Sequence, residues 1–238
     1  DLELKAGLQL ARMLGYRSDP AAPDCAFGHL TSGGTLANYQ SLRLALALKD
    51  WPVALRAAEA PGLDCGEDDW QAFNLGPDAA TALLEGFNAW LAQQTAHDAR
   101  AWRMRVNAER IETLGLVEFF ARHPTLKPPI VLAPVTAHYS WSKGLKLIGL
   151  GRNALHLVPE SGMRIDLAAL EGMLEDALKQ RQPVLMAVGV LGSTEFGTID
   201  PIDGLVAARA RMQARGLGFS VHVDAAWGGY LATLFREP

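Results

Sequence analysis

The chain has 238 residues, enough to bury a sizeable core in one large domain. Apolar residues make up 49% and charged residues 20%, with 22 basic against 26 acidic side chains and a net charge of -4. With no run of Lys or Arg and no apolar stretch of bilayer length, nucleic acid and membrane are excluded as expected partners. The opening, Asp1-Leu2-Glu3-Leu4-Lys5, lacks the layout of a signal peptide and reads as the interior of a helix, so a cut end is expected there. Cys25 and Cys65 are too few for a disulfide framework and show no zinc-ligand spacing. They read as free thiols, so a cytoplasmic location and no metal are expected.

In chain order, residues 27–30 read as a short strand, followed by Thr31-Ser32-Gly33-Gly34-Thr35 and a helix to about Lys49. Residues 51–76 are broken by Pro52, Pro61, Gly62, Gly66 and Gly76 and read as irregular with local helix. Residues 77–94 and 98–122 read as helices. From residue 129 the pattern is strand and helix in alternation. PIVLAPV (129–135), ALHLV (154–158), VLMAVGVL (184–191) and FSVHV (219–223) are short apolar runs bounded by Pro and Gly, as buried strands are. Between them, 140–150 has helical spacing. Asp166 caps a helix to about Gln180 with Leu167, Leu170, Leu174 and Leu178 on one face, and a helix over 203–215 ends at Gly216. Strands apolar on both faces, separated by helices, predict an α/β fold: three layers, α/β/α, around a mainly parallel sheet. Ligands of such sheets sit beyond the carboxyl ends of the strands.

Four stretches at those predicted ends could carry chemistry. Thr31 to Thr35 combine hydroxyls and glycines ahead of a helix, where exposed N–H groups and the helix dipole favour a phosphate; a plain capped strand-to-helix turn has the same composition. His138 follows the 129–135 strand beside Tyr139, placed to stack on a ring or move a proton, or simply to sit hydrogen-bonded in a loop. Gly192-Ser193-Thr194-Glu195 offers hydroxyls, or a turn. Asp224 ends the 219–223 strand and precedes small residues. A carboxylate there is costly to desolvate unless paired; the nitrogen of a flat pyridinium ring would pair with it, and a capping role would also explain it.

Taken together, these stretches resemble one family. The combination of Thr31-Ser32-Gly33-Gly34-Thr35, Ala137-His138-Tyr139-Ser140-Trp141-Ser142-Lys143, the run from Gly189 to Gly197 (GVLGSTEFG) and His222-Val223-Asp224-Ala225-Ala226 is similar to the group II pyridoxal-5'-phosphate (PLP) dependent decarboxylases. From His138 to Tyr230 it most resembles the bacterial tyrosine decarboxylase branch. The resemblance implies the large domain of fold type I PLP-dependent transferases, incomplete here, with residues 1–238 as part of that domain and 51–128 as an irregular, helical insertion within it. It implies that Thr31, Ser32 and Gly33 bind the phosphate, that His138 stacks on one ring face and Ala226 packs on the other, that Thr194 lies near the ring substituents beside Ser193, and that Asp224 pairs with the ring nitrogen. His138, Asp224 and Thr194 are the implied catalytic residues. The family's Schiff-base lysine follows an Asp/Ala/Pro-His pattern roughly thirty residues after the aspartate that Asp224 matches, beyond Pro238. Lys143 and Lys146 lack that pattern and read as helix-surface residues. The resemblance thus implies a fragment of a longer, homodimeric enzyme, inactive by itself, that converts an L-amino acid to an amine and CO2. An aromatic substrate, tyrosine first, is expected ahead of glutamate or aspartate. Another fold type I enzyme, such as an aminotransferase or desulfurase, and a non-catalytic assembly module are the alternatives.

Overall fold

A computed structural model describes residues 2–235. Four strands, β1 (Ile130–Pro134), β2 (Leu155–Val158), β5 (Val184–Val190) and β6 (Ser220–Asp224), form one wholly parallel sheet in the order β2-β1-β5-β6. The short strands β3 (Glu160–Ser161) and β4 (Arg164–Ile165) form a separate antiparallel hairpin absent from the sequence reading. Every residue of β1 and β5 is buried, which is why these strands read as unbroken apolar runs.

The sheet separates two cores. On one face Val131, Ala133 and Val188 pack with Leu42, Phe73, Phe119, Trp141 and Leu145. Those partners come from α2 (Gly34–Ala57), α3 (Asp69–Phe73), α6 (Ile111–Arg122) and α7 (Ser140–Leu147). On the other face Ile130, Leu132, Val184 and Ala187 meet Leu170, Leu174, Leu205 and Met212. These belong to α8 (Leu167–Lys179) and α9 (Ile202–Gln213). Asp166 caps α8 as expected, accepting from the N–H groups of Ala168 and Ala169 at 2.8 and 3.1 Å. The predicted three-layer α/β architecture is the one observed. A third, all-helical core joins the end of α2 to α4 (Pro77–Leu91) and α5 (Ala96–Ala108) through Trp51, Leu55, Phe87, Leu91 and Val106.

Three expectations need correction. Residues 27–30 form no strand: they lie without regular structure beside α1 (Leu2–Leu14), with the Leu30 N–H donating to Glu3 Oε1 at 3.1 Å and Phe27 84% exposed. Among the described residues no strand lies alongside to supply a ladder. Second, α2 does not stop near Lys49 but runs on through Pro52 to Ala57. The proline removes one helical hydrogen bond, and burial of Trp51, Val53, Ala54 and Leu55 outweighs that loss. Third, the helix predicted over 98–122 is two helices. They part where Arg110 turns extended and its guanidinium meets Asp50 at 2.8 Å, while Asp50 Oδ2 accepts from the Ile111 N–H at 2.7 Å. The buried carboxylate therefore serves as the cap of α6, an interaction 61 residues distant in sequence.

Candidate active site

The strand order reverses between β1 and β5: the chain leaves β1 for β2 on one side and returns to β5 and β6 on the other. Such a switch point opens a crevice at the carboxyl ends of the strands. A hollow of about 200 Å³ lies there. Thr136 and His138 reach it after β1, Val190, Gly192 and Thr194 from the end of β5, Asp224, Ala226 and Trp227 from the end of β6, and Gly34, Thr35 and Asn38 from the first turns of α2.

The entry to α2 is built for close approach. Gly33 sits at φ 132°, ψ 162°, a conformation essentially confined to glycine, and brings no side-chain cap. The amides of Gly34 and Thr35, first in the helix, have no intrahelical carbonyl within reach. A Cβ on Gly34 would stand 3.3 Å from the Ala226 Cβ, so the turn before α2 and the stretch after β6 border one space. No acidic side chain occupies the first turn of this helix, leaving its positive end uncompensated.

Asp224, 9% exposed, is the buried charge of the hollow. Its Oδ2 accepts from Asn38 Nδ2 at 2.9 Å and its Oδ1 from the Ala226 N–H at 3.4 Å. Among the described residues no Lys, Arg or His forms an ion pair with it. Two neutral donors compensate a buried carboxylate only in part, so a cationic N–H arriving in the hollow would be held strongly. His222, one pleat earlier on the same face of β6, is held below the usual imidazole range by burial, partly opposed by the Asp224 charge, and stacks edge-on with Trp141 at 4.9 Å. It is therefore neutral near pH 7 and supplies no counter-charge. His138 Nδ1 accepts from the Ser140 N–H at 3.2 Å, and its ring lies 4.0 Å from that of Tyr139.

Four of the residues singled out in the sequence thus meet around one hollow: His138, Thr194, Asp224 and Ala226. The others stand differently. Thr31, Ser32 and Gly33 lead into Gly34 and Thr35 but do not line the hollow themselves, and the Thr31 hydroxyl donates to the Gly33 carbonyl at 3.0 Å. Nor does the Thr31 turn follow a strand. Ser193 faces away, its hydroxyl 2.9 Å from that of Thr198, so it braces the loop after β5 rather than lining the site. Lys143 and Lys146 are exposed on α7, Lys143 lying 4.2 Å over the Tyr139 ring. Asn38, Thr136 and Trp227 line the hollow without having been expected there from the sequence. Asn38 had a legible signal, since it shares a helix face with Leu42 and Ala45 and is polar where its neighbours are apolar.

A larger hollow of about 520 Å³ elsewhere along α2 is lined by apolar side chains such as Leu36, Tyr39 and Ile148. Its charged groups are already paired, Arg43 with Glu112 and Arg110 with Asp50, so the smaller hollow is the chemically competent one. Burial pushes the Cys65 thiol up to about 11, so it is no nucleophile near neutral pH. Among the described residues no group of His, Cys, Asp and Glu could hold a metal ion, and no helix is long and apolar enough to cross a membrane.

A helix N-terminus open to an anion, an under-compensated carboxylate and small residues between them, all at the switch point of an α/β sheet, define a site for a flat, phosphate-bearing cofactor with a protonatable ring nitrogen. Residues 119–237 match the pyridoxal-dependent decarboxylase conserved domain, and the chain belongs to that family. It is 34% identical over 237 residues to an L-tyrosine decarboxylase of Levilactobacillus brevis, covering 99% of this chain and 33% of that protein. An L-tyrosine decarboxylase of Enterococcus faecalis is 31% identical, covering 99% of this chain and 34% of the relative. The chain therefore spans about a third of the length of these relatives. The fold is also that of the glutamate decarboxylase domain of a Vibrio parahaemolyticus diaminobutyrate-pyruvate transaminase and L-2,4-diaminobutyrate decarboxylase. The TM-score is 0.57 at 19% identity, over 97% of this chain and 35% of that one. Pyridoxal phosphate is the cofactor of the family, and the residues present fit it: the carboxylate suits a pyridinium nitrogen and the glycine turn suits a phosphate.

Proposed function

We propose that the protein carrying this chain decarboxylates an L-amino acid to the amine and CO2, and that residues 1–238 form part of its cofactor-binding large domain. The observation that carries the reading is the meeting of the Asp224 carboxylate and the turn into α2 at one hollow. Both relatives named above are L-tyrosine decarboxylases, which favours tyrosine or another aromatic amino acid as substrate.

In this reading the hydroxyls of Thr31 and Ser32, the Gly33 backbone and the free amides of Gly34 and Thr35 hold the phosphate. The Thr31 hydroxyl exchanges its present carbonyl partner for a phosphate oxygen. His138 covers one face of the ring and Ala226 the other. Thr194 stands near the ring substituents, with Ser193 holding its loop in place behind it. Asp224 keeps a proton on the ring nitrogen, because loss of that proton would leave the carboxylate buried with weak compensation. Pyridoxal phosphate, when bound, supplies the electron sink that makes loss of CO2 possible. The chain's own residues orient the reactants and place charge. A cytoplasmic homodimer is the assembly this reading carries with it.

Asp224→Ala in the full-length enzyme is expected to lower turnover of L-tyrosine by orders of magnitude, measured as tyramine and CO2 released. Unchanged turnover would refute the assignment of Asp224, and a keto acid as the product of the wild type would show an aminotransferase instead.

A further inference from the structure

Three polar side chains lie on the buried face of α2: Asn38, Lys49 and Asp50. Lys49 and Asp50 tie the helix to Gly218 and Arg110, far from the hollow along the helix. Asn38, 4% exposed, lies at the hollow, and its side-chain nitrogen makes two hydrogen bonds: to Asp224 Oδ2 at 2.9 Å and to Ser140 Oγ at 3.0 Å. An amide NH2 has two hydrogens, and both are used. Its orientation is fixed by chemistry. An ionised carboxylate only accepts, so the amide must turn its nitrogen toward Asp224; flipped, it would set oxygen against oxygen. The contact leaves the two oxygens of Asp224 unequal. Oδ2 holds the 2.9 Å bond from Asn38, while Oδ1 has only the 3.4 Å contact with the Ala226 N–H and keeps the greater capacity for an incoming donor. The second arm runs through Ser140, the fully buried first residue of α7, whose backbone N–H donates to His138 Nδ1 at 3.2 Å. With Nδ1 accepting, a neutral His138 carries its hydrogen on Nε2.

We propose that Asn38 is a positioning residue whose amide orients the Asp224 carboxylate toward the cofactor ring nitrogen and, through Ser140, couples that carboxylate to His138. The proposal rests on the cofactor reading above and goes beyond it. The side chain of Asn38 need not touch the reacting atoms: from α2 it sets the carboxylate of β6 and the start of α7, which in turn holds the histidine after β1.

The test compares two ligands that need no lysine for binding: pyridoxamine 5'-phosphate, and its analogue with C–H in place of the ring nitrogen. Their dissociation constants are measured by equilibrium dialysis for the wild type, Asn38→Leu and Asn38→Ala. The wild type is expected to prefer the nitrogen-containing ligand. Each variant should bind that ligand about tenfold more weakly, the scale of losing a hydrogen bond to a charged group, and bind the C–H analogue within twofold of wild type. Equal weakening for both ligands would show a purely structural role and overturn the proposal, as would no weakening at all. A wild type that binds neither ligand would reject the cofactor reading itself, a different result. Should both variants fail to fold, nitrogen-15 NMR of the wild-type histidines decides the Ser140 arm. Hydrogen on His138 Nε2 supports the coupling, and hydrogen on Nδ1 overturns it.

Discussion

Replacing Lys49 with methionine should remove a rise of stability with pH that is expected of the wild type above neutrality. The Lys49 ammonium is buried in the interior, donating to the Gly218 carbonyl and to Asn74 Oδ1, with the Phe73 ring centroid 5.6 Å away. Burial pushes its pKa down from 10.5 to about 7. Between those two values the unfolded chain binds a proton that the folded chain has released, so stability rises with pH across that window. Below about pH 7 both states are protonated, the penalty for burying the charge is fully present, and this group adds no further slope. The slope for one proton is about 1.4 kcal/mol per pH unit, so between pH 8 and pH 9.5 Lys49 alone should add about 2 kcal/mol. Urea unfolding of wild type and Lys49→Met at both pH values tests this. Other groups titrate in both proteins and cancel in the difference. The two orphaned carbonyl oxygens lower the stability of the variant by an amount independent of pH, which leaves the slope untouched. Identical pH dependence in the two proteins would refute the argument and show that the Gly218 and Asn74 oxygens hold the ammonium charged despite burial.

A Cβ on Gly228 would stand 2.2 Å from the Leu191 carbonyl oxygen, a backbone atom that cannot swing aside. Gly228→Ala should therefore cost about 2 kcal/mol or more, read as a lowered melting temperature, and weaken cofactor binding by moving the Ala226–Trp227 stretch. Asp50→Ala leaves the half-buried Arg110 without its carboxylate partner and the Ile111 N–H without its acceptor. A loss of about 3 kcal/mol is expected in urea unfolding, and a loss under 1 kcal/mol would show that the pair is solvated. Asp166→Ala removes the cap of α8 and should cost about 1 kcal/mol without altering ligand binding, since it lies outside the hollow.

Much of this protein was legible in the order of its residues. The apolar runs at 129–135 and 184–191 became strands within a residue or two, because strands buried on both faces leave a continuous signal, and 219–223 became the half-buried edge strand β6. Their parallel arrangement followed from the helices between them, and Asp224 and His138 were found because ligand sites in such sheets gather after strand ends. Local sequence failed where a distant partner decided. Pro52 signals a helix end, yet packing against Phe87 and Leu91 carries α2 through it. Residues 27–30 have strand composition, but a strand exists only with a neighbour to share hydrogen bonds, and none lies beside them among the described residues. Ser193 and Thr194 are adjacent in the chain, and only the fold turns one toward Thr198 and the other toward the hollow. Asn38 and Asp224 are 186 residues apart. Periodicity and composition report what each residue prefers locally, and they determined the layers of this protein. Which buried polar groups meet is set by contacts between distant elements, and only the tertiary structure brought that amide to that carboxylate.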